Sequence, residues 1–395
     1  MAEIRHLTEA HFEENMALMQ FAFQMKMTPE RMAAAKKFFQ PEREYGWFDD
    51  DGRLLSKLTI LPFEAWVRGR KLAMGGVAGV ASWPDARRQG GVRRLLLHAF
   101  AEMRRQGQSM SMLAPFSFAF YRKYGYEMTI ERKTYTLETK HLPPRRDTPG
   151  TVRIAAKERA VLEPVYTAYA AGLDGMLARS AEGWERGALS KPGIAAVYFD
   201  EASRAQGYVL YEVADRTMKV HEWVALTEDA QAALWRYAAN HDSMIVRLTV
   251  TVPVDDPLSF LVPDPRFKQE IEPYFMSRII DVEKFVAQYP FAAADRPSEL
   301  ALAIDDGDAP WNAGNYRLRI EADGSAALTR VAAVEGSPAR WSGAACDIAT
   351  LTAMLVGGRR PAWLHRIGRL TGPDEQVGEL ERRVPAQRPY LADFF

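Results

Sequence analysis

One cysteine stands in 395 residues, so no internal disulfide can form and a reducing, cytoplasmic setting is expected. That residue, Cys346, follows Gly343-Ala344-Ala345, a small apolar stretch that predicts a buried, inert thiol. A basic excess is missing as well. The 51 Lys and Arg residues balance 51 Asp and Glu, giving zero formal net charge and arguing against nucleic acid as a partner. No apolar run reaches the length of a membrane span, and the stretch from Met1 to His6 lacks the positive lead and apolar core of a signal peptide. The histidines (His6, His11, His98, His141, His221, His241, His365) show no paired ligand spacing, so no metal is expected. A Walker loop, a nucleophile elbow, short repeats and low-complexity tracts are absent too.

What is present is a globular composition, 47% hydrophobic and 26% charged. The chain is too long for a single ordinary core. A proline- and charge-rich stretch from His141 to Gly150, and a second joint from Gln288 to Pro297, divide it. Three units are expected, at 1–140, 150–280 and 281–395. In the first unit, helices are predicted from Phe12 to Met27 and from Pro29 to Phe39. Strands follow at 53–60 and 63–70, split by Leu61-Pro62, and from Val77 to Trp83. Val92, Leu95, Leu96, Ala99, Phe100 and Met103 recur at three- and four-residue steps, marking an amphipathic helix stopped by Gly107. A strand from Met110 to Ala114, a short aromatic helix and a strand from Met128 to Leu137 complete the unit. The fold class is α/β with mixed sheets.

Two segments carry chemistry. Pro84-Asp85-Ala86-Arg87-Arg88-Gln89-Gly90-Gly91-Val92 joins a strand to the amphipathic helix. A helix N-terminus presents unpaired N–H groups and the positive end of a dipole, so it attracts anions. Gly90 and Gly91 let a phosphate approach the backbone, and Arg87, Arg88 and Arg93 add charge. Further on, Phe120-Tyr121-Arg122-Lys123-Tyr124-Gly125-Tyr126 is an aromatic turn closed by glycine.

In order and spacing these segments resemble the GNAT acetyltransferase superfamily, whose Arg-x-x-Gly-x-Gly/Ala loop binds the pyrophosphate of acetyl-CoA. Val92 departs from that pattern, standing where the family has a small residue. The run Gly79-Val80-Ala81-Ser82-Trp83-Pro84, the three-unit length and the ending Asp393-Phe394-Phe395 resemble the Eis-like branch. The resemblance implies tandem GNAT-type domains, the second degenerate, followed by a sterol-carrier-protein-like α+β domain and assembly as a hexamer. It further implies acetyl-CoA as co-substrate and a small-molecule or peptide amine as acceptor, of aminoglycoside, polyamine or lysine type. By the same resemblance Val80, Ala81 and Ser82 pair with the pantetheine arm, and Arg87, Arg88, Gln89, Gly90, Gly91, Val92 and Arg93 hold the pyrophosphate. Phe116 and Ser117 touch the cofactor, Tyr121 is the general acid, and the carboxylate of Phe395 is the base. Gln24 and Phe394 fall at substrate-binding positions where aminoglycoside-modifying relatives are acidic, and a less acidic pocket attracts a polycation less strongly. The alternative is a non-catalytic CoA-sensing or lipid-binding scaffold that keeps this fold.

Overall fold

A computed structural model describes residues 3–331 and 342–395. The chain runs through β1 (Glu3–His6), α1 (Phe12–Ala22), α2 (Pro29–Lys37), β2 (Glu44–Phe48), β3 (Leu54–Val67), β4 (Arg70–Ser82), α3 (Gly91–Arg105), β5 (Met110–Leu113), α4 (Phe118–Arg122) and β6 (Glu127–Glu138). It continues with β7 (Thr151–Ala155), α5 (Arg159–Ala171), α6 (Ala181–Arg186), β8 (Ile194–Phe199), β9 (Ala205–Ala214), β10 (Thr217–Ala225), α7 (Glu228–Ala239), β11 (Arg247–Val252), α8 (Leu258–Leu261) and β12 (Lys268–Ile279). The last part comprises α9 (Val282–Gln288), β13 (Ser298–Asp305), β14 (Gly314–Ile320), β15 (Ala326–Arg330), β16 (Ala344–Asp347), α10 (Ile348–Leu355), α11 (Pro361–Arg366) and α12 (Asp374–Arg383). No helix among the described residues is long and apolar enough to cross a membrane.

Twelve strands form one mixed sheet in the order β1-β2-β3-β4-β5-β12-β6-β11-β10-β9-β8-β7, and four form a second, β15-β14-β13-β16. The position of β12 is the main topological fact. Its residues are late in the chain, yet it lies antiparallel between β5 and β6. Beyond it the chain enters α9 and the small sheet, so one strand ties the later parts of the chain to the first. The apolar positions of the last part, among them Leu300, Leu302, Ile304, Tyr316, Leu318 and Met354, join β12 and β5 residues in one buried core.

Two local expectations change. The break at Leu61-Pro62 does not exist: β3 runs through Pro62, which pairs with Gly75, and the turn comes later, at Arg68 (φ 50°) and Gly69 (φ 76°). β2 pairs only with residues 54–59 of β3, so that flank has no β2 ladder to lose at Pro62. The predicted strand from Val77 is the second half of β4, and of the predicted 63–70 only residues 63–67 belong to β3, with the turn and the first residue of β4 following. The first helix also ends early, at Ala22. Gln24 there adopts a left-handed φ of 52°.

On β12, the fully buried Arg278 donates through Nη2 to both oxygens of Asp306, at 2.8 and 2.7 Å, and through Nη1 to the Tyr124 carbonyl at 2.7 Å. Removing one partner of a buried pair strands the other charge, at a cost of ~3–5 kcal/mol. Arg278→Leu is therefore expected to lower unfolding stability by about that amount in a denaturant titration. Arg278→Met with Asp306→Leu should recover part of it.

Candidate functional site

β4 and β5 run parallel and hydrogen-bond only at Met74–Gly76 against Met110–Met112. From Val77 to Ser82, β4 has no partner on that side among the described residues, and the two strands splay into a cleft. The splay is sharpened by a bulge. Lys57 and Thr59 face Ala81 and Ala78, so Gly79 and Val80 together oppose Leu58. Gly79 has φ 56°, and a Cβ there would press to 3.2 Å from the Thr59 hydroxyl and 3.3 Å from Lys57 Nζ. Behind the bulge, Lys57 is buried and bonded to Glu44 at 2.6 Å, which in turn accepts from Thr59 at 2.7 Å. Val80, Ala81 and Ser82 thus lie on the unpaired edge, with the Ser82 hydroxyl 2.7 Å from that of Ser56.

The turn after β4 leads straight into α3. Arg88 (φ 64°) and Gly90 (φ 81°) are both left-handed, and nothing lies within 4 Å of a Cβ built on Gly90. Gly91 faces inward instead, where a Cβ would overlap Trp47 at 2.4 Å. No side chain caps α3 and no acidic residue occupies its first turn. Its leading amides therefore face open space with their dipole unopposed. Arg87, Arg88 and Gln89 are exposed, and the Gln89 amide folds back onto the Asp85 carbonyl at 2.8 Å. Asp85 is neutralised by Arg53 at 2.8 Å. The guanidinium of Arg93, more than half exposed, lies 3.1 Å from Asp308. Val92 is half-buried with the apolar face of α3.

Across the cleft, Ser117 caps α4 by accepting from Phe120 N at 3.3 Å, which fixes the aromatic turn. Tyr121 is buried to 2% exposure, with Phe116, Phe120 and Tyr126 edge-on at 5.4, 5.1 and 5.9 Å. Among the described residues no protein group hydrogen-bonds its hydroxyl. Burial pushes the phenol well above its usual pKa, with Tyr126 adding to the effect. Phe116 is largely exposed beside it. The turn is braced from behind. Gly125, at φ 74°, leaves room for Arg278, and Glu127 holds both Arg122 at 2.8 Å and Arg369 at 2.6 Å.

The end of the sequence reaches the same place. The Phe395 ring packs on Phe63 (4.8 Å) and Phe275 (4.9 Å) and touches Gly76, where β4 and β5 part. Phe394 remains exposed, 6.1 Å from Phe275, and Gln24 is exposed beyond α1. Four groups invisible to motif reasoning, Arg179, Tyr166, Tyr274 and Glu222, set this course. Asp393 accepts from Arg179 Nε at 2.9 Å and lies 3.2 Å from the Tyr166 hydroxyl, and its carbonyl accepts from Tyr274 at 2.8 Å. Arg179 also binds Glu222 at 3.0 Å and stacks on Tyr166 at 3.9 Å. Burial raises the Asp393 carboxyl pKa, while Arg179 draws it down. A lone arginine in Leu177-Ala178-Arg179-Ser180 gives no sequence signal of this role. Only its three-dimensional partners reveal it.

Comparison with known proteins agrees with this architecture. GNAT acetyltransferase domain models match residues 3–129 and 175–279, and a sterol carrier protein domain model matches 282–392. The N-acetyltransferase Eis of Mycobacterium tuberculosis is 26% identical over 324 residues, 78% of this chain and 76% of that one. A probable N-acyltransferase from Enterococcus faecalis superposes over 100% of both chains with TM-score 0.91 and 29% identity. Eis1 of Mycobacterium abscessus, at 21% identity, TM-score 0.81 and 100% of both chains, shares the fold.

Asp393→Asn keeps the side-chain shape but removes the charge that Arg179 holds. Amide hydrogen exchange across residues 390–395 is expected to accelerate at least about tenfold in this variant, equivalent to roughly 1.4 kcal/mol of local stability. Exchange in α3 should stay at its native rate.

Proposed function

Because the chain belongs to the GNAT superfamily, an N-acetyltransferase of Eis-like build with two GNAT domains and a sterol carrier protein domain, we propose that it moves the acetyl group of acetyl-CoA to a primary amine in the β4–β5 cleft. The observation that carries this reading is the uncapped α3 N-terminus at Gly90, open to solvent and adjoining an unpaired strand edge. The edge of Val80–Ser82 is suited to the pantetheine amides, as a strand is to a partner strand. The α3 amides with Arg87, Arg88 and Arg93 suit the pyrophosphate, Arg93 standing beside Asp308 at the rim. Phe116 and Ser117 border the thioester end, and Gln24 and Phe394 border the amine.

In the reaction the amine nitrogen attacks the thioester carbon, the C–S bond breaks, and the electron pair leaves on sulfur. A CoA thiol has a pKa near ~8.5 and an unperturbed phenol ~10. Burial lifts Tyr121 further, so complete transfer of its proton to sulfur is uphill. Its contribution as the acid is a hydrogen bond that strengthens as charge builds on sulfur, and the proton released by the amine completes the thiol. The carboxyl group of Phe395 serves on the acceptor side. An α-carboxyl at ~3.5 and an alkylammonium at ~10.4 differ by about 7 units, or ~9 kcal/mol, so it orients an amine already neutral rather than stripping the ammonium. The exposed Gln24 and Phe394 favour amines of low charge over polycations. Assembly as a homo-hexamer is part of the proposal, checked by light scattering against the 44.5 kDa chain mass.

Three outcomes are expected. Gly90→Val, forced into a left-handed backbone that β-branched residues avoid, should weaken CoA at least about tenfold by calorimetry; unchanged affinity would remove the cofactor assignment. Tyr121→Phe should lower kcat ~10²–10⁴-fold with CoA binding intact. Because burial keeps the phenol protonated above pH 10, the wild-type to Tyr121→Phe rate ratio should be constant from pH 7 to 10; a ratio collapsing near pH 10 would contradict the stated role. A polar tag after Phe395 should damage kcat far more than Phe395→Leu does. A tagged enzyme of normal speed excludes Phe395 from the mechanism.

A further inference from the structure

The second half of the large sheet repeats the cleft of the first. β9 and β10 form a hairpin as β3 and β4 do, and β10 carries an extra residue, His221, between Val220 and Glu222. β10 then pairs in parallel with β11 only at Thr217–Lys219 against Arg247–Thr249. Where these strands part, at the N-terminus of α7, lies a cavity of about 1060 Å³.

Its chemistry differs from that of the first cleft. Thr227 caps α7 by accepting from Ala230 N at 3.1 Å, and Glu228 and Asp229 occupy the first turn. The helix end is therefore satisfied and faced by negative charge, which disfavours a pyrophosphate. The walls include Trp223 and Trp235, with ring centroids 4.3 Å apart, and the carboxylates of Asp255 and Asp256. The lining cations are engaged elsewhere, Arg145 by Asp242 at 3.1 Å and Arg146 by Asp229 at 2.5 Å. Trp223 Nε1 donates to Gln231 at 2.8 Å. Trp235 Nε1 has no partner among the described residues, although the residue is only 4% exposed. That N–H is itself covered and does not open onto the cavity, so the wall that a ligand meets is the indole carbon surface.

We propose that this cavity is a second ligand site, built for an organic ammonium ion. The indole faces and the Asp255 and Asp256 side chains attract the cation. The proposal stands apart from acetyl transfer, since none of these residues touches the β4–β5 cleft.

Calorimetry on the full chain without acetyl-CoA tests it with choline, whose quaternary nitrogen cannot accept an acetyl group, and with its neutral isostere 3,3-dimethyl-1-butanol. Choline should bind, and the isostere should bind at least about tenfold more weakly. Trp223→Leu and Asp256→Asn should each weaken choline by a similar factor with CoA affinity unchanged. Asparagine retains the acceptor that Asp256 offers to Leu258 N at 3.0 Å, so that variant keeps its turn. Absence of choline binding, equal affinity for the isostere, or wild-type affinity in both variants overturns the proposal. So does a second CoA equivalent per chain that is lost in Trp223→Leu. Failure of the Gly90 or Tyr121 tests leaves it standing.

Discussion

A cleft between two parallel strands can stay open only if something else holds the outer strand in place. Here that constraint is met by β12. β5 keeps just three pairs with β4 but gains four with β12, from Met276 opposite Leu113 to Ile279 opposite Met110. The sheet can therefore part on one side without shedding β5. Arg278 on the same strand binds the carbonyl of Tyr124 and the carboxylate of Asp306. A buried guanidinium is costly to desolvate and is tolerated only when well paired. The aromatic turn and the last part of the chain are consequently fixed to one atom group, and Tyr121 inherits that rigidity.

The arrival of Phe395 is the second consequence of long-range pairing. Exposed ion pairs contribute little. Arg179 differs because it is almost wholly enclosed, with Glu222, Asp393 and the Tyr166 ring around it. A low effective dielectric strengthens each of these attractions and penalises leaving any one of them unmade. Residues from distant parts of the sequence thus share the work: Gly90 and Tyr121 shape the cleft, Arg179 and Tyr274 guide the end of the sequence, and Asp306 and Glu127 support it from behind.

The two splayed clefts also show how one helical turn decides chemistry. α3 begins with glycines and no acid, whereas α7 begins with Thr227, Glu228 and Asp229. The strand pairing is alike, but Gly90 enters its helix left-handed and uncapped whereas Thr227 enters extended and caps its own, so the two ends offer an anion opposite surroundings.

The sequence by itself determined what depends on neighbours within a turn or two. The stripe from Val92 to Met103, the burial of Cys346 (thiol pKa raised to about 12) and the uncapped arginine–glycine loop all follow from local spacing and residue type. Periodicity and capping act over a few residues, so they are legible without a fold. Pro62 misled the strand assignment because the cost of a proline depends on which flank of the strand carries a ladder, and that is a tertiary fact. Tertiary structure alone decided that β12 lies between β5 and β6, that Arg93 pairs with Asp308, and that Arg179 captures Asp393. Those contacts join residues scores to hundreds of positions apart, and no local pattern encodes which of many arginines will meet which carboxylate. Burial in a shared low-dielectric interior selects the Arg179 pair, because there an unmatched charge is too costly to keep, whereas the exposed Arg93 meets Asp308 only because the fold brings them together.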